Sequence, residues 1–379
     1  MNSIKNLFKG DKVIWIIIVL FSIMSILTVY SSTGALAYKD FQGDTMRFLI
    51  KHGGIMIIGI GIIILVQKIP VSFYFSIGYI LLFIGLGLLF LTLLSGENLN
   101  SASRWMKIPF TSLTFQSSDV AKLALIAYLA KTLSDMQKDL TNFKQILIRL
   151  VAPIGAMTGL VITTNLSTAL LICISSFFIL YVGRVSYKHL GYIVGLAVIV
   201  LVFGVGVMYA SGVGRAQTWV NRIENFSSGD GDNVYQIEQA KIAVVSGGLI
   251  GRGVGKSVQR NFLPHSYSDF IYAIIIEEWG AIMASFVLVL YVILLNRVGR
   301  IIRRCKSAFS TFLVLGLILN IMLQAFINMA VAVDLMPVTG QTLPLISMGG
   351  TSVLITCATF GIILRVSEDV SIEELKKFK

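Results

Sequence analysis

The chain has 379 residues, 56% of them hydrophobic and only 13% charged. A soluble domain carries about 25% charged residues, so a water-soluble globular protein is excluded. At about 20 residues per crossing helix, the apolar content allows about ten membrane crossings, and the apolar runs are longer than the alternating strands of about 9–11 residues in an outer-membrane barrel. A formal net charge of +12 would point to nucleic acid in a soluble protein. Here it asks instead which side of the membrane the cations occupy, and no nucleic acid partner is expected.

In chain order, the apolar runs predict spans at 13–31, 48–66, 72–95, 119–134, 146–162, 167–183, 190–210, 270–296, 308–332 and 343–364. The expected class is an all-α polytopic membrane protein of about ten transmembrane helices. The 119–134 and 146–162 runs carry the weakest signal, because Lys122 and Arg149 lie near the start of segments barely long enough to cross. The first run follows Lys5, Lys9 and Lys12 and precedes Ala35-Leu36-Ala37, as a secretory signal would. Its length of about 17–19 apolar residues exceeds the roughly 7–15 of a signal core, so it reads as a retained anchor. Cys173, Cys305 and Cys357 form no CxxC pair and are read as free thiols, with no metal site.

With the N-terminus inside, 19 of the 31 Lys and Arg fall on short cytoplasmic segments, as the positive-inside rule requires. Residues 1–12 are then a cytoplasmic segment, 13–364 the transmembrane domain and 365–379 a cytoplasmic tail. The same topology places a long extracytoplasmic loop, about 211–268, between the seventh and eighth spans. Long irregular segments in compact proteins tend to be functional.

Chemistry is expected at that loop. Between Lys241 and Ser268 stand Lys241, Arg252, Lys256 and Arg260 with no acid, an excess that asks for an anionic partner. The run Ser246-Gly-Gly-Leu-Ile-Gly-Arg-Gly-Val-Gly-Lys-Ser257 has glycines whose amides can approach a phosphate, although Ile250 stands where a Walker loop needs glycine. The competing reading is a basic loop touching anionic lipid headgroups. Asp269 stands at the mouth of the eighth span, placed equally well for a general base or for a helix N-cap. Glu277 and Glu278 lie two turns, about 12 Å, further along; at least one should face the bundle interior, with Lys122 as a candidate partner or with a purely structural polar contact. Arg104 and Lys122 flank the fourth span, where they suit a phosphate clamp. The plainer account there has Ser118 capping the helix and Trp105 in the aromatic belt.

The order of motifs across nearly the whole chain is distinctive: Ser103-Arg104-Trp105, Gln116-Ser-Ser-Asp-Val-Ala-Lys122, Asn165-Leu-Ser-Thr168, Tyr235-Gln236, Ser246-Gly-Gly to Gly253-Val-Gly-Lys-Ser257, Leu263-Pro-His265 to Ser268-Asp-Phe-Ile-Tyr-Ala-Ile and Glu277-Glu278, and Met336-Pro-Val-Thr-Gly to Leu343-Pro-Leu-Ile-Ser347-Met-Gly-Gly-Thr-Ser352. It resembles the SEDS family (shape, elongation, division, sporulation) of peptidoglycan glycosyltransferases, and within it the division branch more than the elongation branch. The family pattern has Gln-Pro-Ser-Glu where this chain has Gln116-Ser-Ser-Asp119, often an Asp at Asn165, and commonly a Tyr at Met348. Residue 165, lacking the charge, is given no catalytic role.

The resemblance implies an enzyme that polymerises lipid II at the outer face of the cytoplasmic membrane, for septal wall synthesis, with Asp269 as the base. Combined with the reading of the residues, it makes Arg104, Lys122, Arg252, Lys256, Arg260 and His265 candidate substrate and pyrophosphate contacts, and Gln116, Glu277, Glu278 and Ser347 supporting polar residues. A divalent cation, Mg or Mn, is compatible with pyrophosphate departure. The implied partners are lipid II, a class B penicillin-binding transpeptidase and other divisome proteins. Asn328, Gly349, Gly350 and Thr351, small or polar, suit close approach of a partner helix. Two other functions fit a polytopic protein. One is a lipid II flippase using Glu277, Glu278 and Lys122 as a path, against which the phosphate-suited residues crowd one face. The other is a scaffold for a transpeptidase, in which Asp269 would be dispensable.

Overall fold

The computed structural model describes residues 8–34, 36, 44–95, 97–99, 102–107, 114–137, 139–211, 218–222 and 232–377. The elements are α1 (Lys12–Ser32), α2 (Thr45–Gln67), α3 (Val71–Ser95), β1 (Glu97–Leu99), β2 (Ala102–Lys107), β3 (Thr114–Gln116), α4 (Ser117–Asp135), α5 (Phe143–Ile162), α6 (Leu166–Val182), α7 (Tyr187–Ser211), α8 (Asp232–Gly247), α9 (Ile271–Arg304), α10 (Ala308–Ala332) and α11 (Thr351–Lys377). Seven of these helices (α1, α2, α3, α5, α7, α9 and α10) are long and apolar enough to cross a membrane, and α6 is a shorter apolar one. The chain divides into two compact units, one of Met1–Lys68, Arg222–Gly299 and Ile321–Lys379, the other of Ile69–Asn221 and Arg300–Asn320.

In the first unit, Asp11 starts α1 by accepting from the amides of Val13 (2.9 Å) and Ile14 (3.3 Å). Its other oxygen takes Arg297 Nε at 2.6 Å, and its amide donates to Ser367 Oγ at 2.9 Å. The stretch expected as a C-terminal tail from 365 therefore continues α11 and is fastened to the start of α1. Helices α2 and α11 pack with their backbones close: a Cβ on Gly59 would come within 2.7 Å of Cys357 Sγ, and one on Gly361 within 2.9 Å of Val66.

In the second unit α4 is the central helix. From Ser117 to Leu133 only Val120 and Leu123 escape full burial, which explains its weak hydropathy: a helix that faces protein on every side need not be lipophilic. Its two lysines are each held by neighbouring groups. Lys122 pairs with Asp119 at 2.8 Å, and Lys131 Nζ bonds the Ser76 carbonyl at 3.3 Å while lying 4.4 Å from the Tyr79 ring centroid. Pro153 removes a helical donor from α5. A π-turn at Leu147–Val151 precedes it, and the freed Arg149 carbonyl takes the Tyr128 hydroxyl at 2.7 Å. Helix α7 lies at the other extreme, with Tyr187, Phe203 and Ile199 largely exposed, as contact with lipid requires. The antiparallel sheet β1-β2-β3, which hydropathy did not reveal, pairs Trp105 with Gln116 and leads directly into α4.

The last helix departs from expectation. It begins at Thr351, not near 343, because Pro344 lacks a donor, Leu345 sits at φ 62° and Gly350 at φ 52°. Residues 341–350 are extended and turned backbone inside the unit.

Candidate functional site

Among the described residues of the first unit, irregular backbone meets helices at the Gly280 break and at residues 341–348, and residues expected to act fall on both. Helix α9 breaks at Gly280, which adopts φ 79°. On the break lies the glycine-rich segment that follows α8. The amides of Arg252 and Gly253 donate to the carbonyls of Glu277 and Glu278, both at 2.9 Å, while the amides of Ala281 and Ile282 donate to the carbonyls of Gly248 (2.9 Å) and Leu249 (3.3 Å). Each half of the broken helix thus recovers main-chain partners from the loop. The approach is so close that a Cβ on Gly247 would lie 2.0 Å from the Ile276 oxygen.

The residues that follow the glycines bind the protein's own carboxylates. Glu277 accepts from the Ser257 hydroxyl and from the amides of Val258 (2.9 Å) and Gln259 (3.3 Å), with the Arg252 guanidinium 3.8 Å away. Glu278 accepts from the Ser31 hydroxyl and the Ser257 amide. Both carboxylates are fully buried, and Glu278 Oε2 is left with no hydrogen-bond partner. Within the run expected to approach a phosphate, the Arg252 and Gly253 amides are taken by helix carbonyls and the Ser257 amide by Glu278, as two adjacent buried carboxylates need donors. Lys122, expected as their partner, is in the other unit and is ion-paired with Asp119.

The cations of this segment divide accordingly. Lys256 and His265 are exposed, His265 on a left-handed turn at φ 57°. Arg260 donates to the Ser31 carbonyl at 3.0 Å and keeps a buried Nε without a partner. Lys241, also exposed, pairs with Asp334.

Asp269 is half-buried, two residues before α9. Three consecutive carbonyls that end with its own are held by the extended 341–348 segment and its neighbour Asn328. Met348 N donates to the Tyr267 carbonyl (2.9 Å), Ser347 Oγ to the Ser268 carbonyl (2.7 Å), and Asn328 Nδ2 to the Asp269 carbonyl (2.9 Å). Asn328 also reaches the Gln341 carbonyl at 2.7 Å and is fully buried. It is therefore not open to a partner helix, as its polar character in an apolar span had suggested; it stabilises the turn that carries Asp269. Sequence reasoning placed Ser347 among supporting residues but missed this role for Asn328. The available signal was a polar residue inside an apolar helix whose sequence neighbour is a proline- and glycine-rich segment.

The remaining expected residues lie in the second unit. Arg104 sits on β2, its side chain outside the described residues. Gln116 Nε2 donates to Ser118 Oγ at 2.9 Å at the start of α4, so Ser118 does not cap that helix. Asn165 accepts from the Thr168 amide at 3.3 Å and caps α6. Leu89, Thr92, Gln116, Ser118, Thr164 and Asn165 line a small polar cleft. Among the described residues no three His, Cys, Asp or Glu side chains gather in a metal-binding group. The adjacent Glu277 and Glu278 carboxylates are engaged by hydroxyls and amides, so this pair does not fit a divalent cation.

Comparison with known proteins agrees with this architecture. The chain is 32% identical over 361 residues to a probable peptidoglycan glycosyltransferase FtsW of Halomonas elongata, with 93% of this chain and 89% of that protein covered. It is also 32% identical over 365 residues to the stage V sporulation protein E of Bacillus subtilis, covering 94% and 96%. Among solved structures, the rod shape determining protein RodA of Thermus thermophilus matches with a TM-score of 0.70 at 23% identity, covering 96% of this chain and 98% of that one. A chain from a structure described as the structural coordination of polymerization and crosslinking by a peptidoglycan synthase complex matches with a TM-score of 0.75 at 23% identity, covering 95% and 98%. The profile of the FtsW/RodA/SpoVE family, described as cell cycle protein, matches residues 11–372, and the chain belongs to that family.

Proposed function

We propose that this protein is a peptidoglycan glycosyltransferase that polymerises lipid II at the outer face of the cytoplasmic membrane, with both termini inside, and that it serves septal wall synthesis. The observation that carries the reading is Asp269: a half-buried carboxylate at the mouth of a membrane helix, on a turn whose three successive carbonyls are held by Met348, Ser347 and Asn328. A general base has to be held in place to act, and relatives at 32% identity are named for this activity.

In the reaction, the 4-hydroxyl oxygen of an incoming lipid II attacks the anomeric carbon at the end of the growing strand. The bond from that carbon to the undecaprenyl pyrophosphate oxygen breaks, the pyrophosphate leaves with the electron pair, and Asp269 takes the hydroxyl proton. Exposed Lys256 and His265, with Arg252 and Arg260 nearby in sequence, supply positive charge for the departing group. Arg104 and Lys122 are proposed as further lipid II contacts, with Gln116 in support. Glu277 and Glu278 act indirectly, by holding the loop that carries the cations. The solved relative in a synthase complex for polymerization and crosslinking supports a class B penicillin-binding transpeptidase as partner, alongside other divisome proteins at the septum.

The test is Asp269→Asn, assayed as the full-length protein with labelled lipid II and its cognate transpeptidase. The amide preserves size and the backbone bonds, so the protein should fold and bind its partner while glycan polymer falls by about 10²–10⁴-fold. Polymer at near the wild-type rate would remove Asp269 from the chemistry.

A further inference from the structure

Because the 341–348 segment holds the Tyr267 and Ser268 carbonyls, whatever fixes that segment also fixes Asp269. Two fastenings come from α9 and α10: the Tyr291 hydroxyl donates to the Pro344 carbonyl at 2.6 Å, and Gln324 Nε2 to the Thr342 carbonyl at 3.0 Å. Another comes from α1 and α2. Ser25 Oγ donates to the Ile346 carbonyl at 2.8 Å and lies 2.7 Å from His52 Nε2. Ser25 is fully buried and His52 is 1% exposed, about 10 Å along α1 from its Ser32 end.

The direction of this chain follows from proton counting. A hydroxyl has one proton, and the Ile346 carbonyl can only accept. Ser25 therefore spends its proton on Ile346, and the proton between Ser25 and His52 belongs to Nε2. The imidazole is the Nε2–H tautomer, with Nδ1 as an unprotonated acceptor that is buried and has no partner. An apolar side chain would not strand that nitrogen, so the contribution specific to histidine here is one directed N–H. Donation from Nε2 polarises the Ser25 hydroxyl and strengthens its bond to Ile346. The peptide unit that receives this bond joins Ile346 to Ser347, whose Oγ donates to the Ser268 carbonyl.

We propose that His52 is a positioning residue for the polymerase reaction: through Ser25 and the Ile346–Ser347 peptide it sets the turn that presents Asp269. The proposal rests on the reading of Asp269 as the base. It is tested on the full-length protein with its transpeptidase by lipid II kinetics and by amide hydrogen exchange. His52→Leu should lower kcat by about 10- to 100-fold with KM for lipid II unchanged. It should also raise exchange in peptides covering 266–271 and 343–348 by at least about tenfold, and leave 117–133 as in the wild type. His52→Gln, whose amide can donate in place of the ring N–H, should recover both readouts. If His52→Leu does not fold, Ser25→Ala carries the same two expectations. Unchanged exchange at 266–271, a His52→Gln protein no better than His52→Leu, or a raised KM at constant kcat would overturn the proposal. Failure of the base reading is distinct, since it shows as an active Asp269→Asn protein and leaves the exchange comparison intact.

Discussion

Two stretches of irregular backbone among the described residues of the first unit, at the Gly280 break and at 341–348, are stabilised in opposite ways. At the Gly280 break, main chain pairs with main chain: loop amides reach helix carbonyls and helix amides reach loop carbonyls. In the 341–348 segment, carbonyls are taken one by one by side chains from surrounding helices: Gln341 by Asn328, Thr342 by Gln324, Pro344 by Tyr291 and Ile346 by Ser25. Non-helical backbone at membrane depth persists only where protein satisfies its polar groups. The first solution requires residues without a side chain, so that two backbones can touch. The second requires polar side chains on otherwise apolar helices. The glycine-rich loop is accordingly a rigid pairing, whereas the segment behind Asp269 is an assembly of single bonds that can be adjusted one at a time.

Substitutions should separate the two. The largest effect belongs to Gly247→Ala, whose Cβ would stand 2.0 Å from the Ile276 oxygen and 2.8 Å from Glu277 Cα, both main-chain atoms that cannot turn aside. The expected cost is more than about 4 kcal/mol, seen as loss of a monodisperse protein in detergent; a variant with wild-type thermal stability would show that the loop does not lie on the break. Asn328→Leu comes next. It removes the Asn328 donor from the Asp269 and Gln341 carbonyls at about 1–3 kcal/mol each, and should reduce polymerisation more than it reduces melting temperature. Equal loss of both would mean that Asn328 only packs. Tyr291→Phe is the mildest, removing one hydroxyl from the Pro344 carbonyl at about 1–2 kcal/mol. Because its bond falls at Pro344 and not on the Ile346–Ser347 peptide that leads to the Ser268 carbonyl, activity should stay within a few-fold of wild type; complete inactivity would mean that the segment is as cooperative as the main-chain pairing at Gly280.

Much of the site was legible in the residues themselves. Asp269, Ser347 and the Glu277-Glu278 pair were recognisable because ionisable and polar groups beside apolar spans are costly and therefore few. What they bind was not legible. The glycines of 247–255 read as an anion loop in sequence, and only the fold pairs that segment with helix main chain and sets the Ser257, Val258 and Gln259 amides on Glu277 and Glu278. Lys122 was a candidate partner for those carboxylates, and the structure pairs it with Asp119, one turn away on the same helix, at 2.8 Å.

The sequence by itself determined that the chain crosses a membrane, where most of its apolar helices run, and to which family it belongs, because hydropathy and motif order are written along one dimension. Tertiary structure decided the rest. It showed that α4 is weakly apolar because it is buried by other helices, that α11 begins at Thr351 because the preceding segment draws its hydrogen bonds from α1, α9 and α10, and that His52, Ser25 and Asn328 stand behind Asp269. The physical reason is common to all three. A backbone or side-chain polar group in an apolar surrounding must find a partner, and partners far apart in sequence are chosen only by packing, as the separation between Ser25 and Ile346 makes plain.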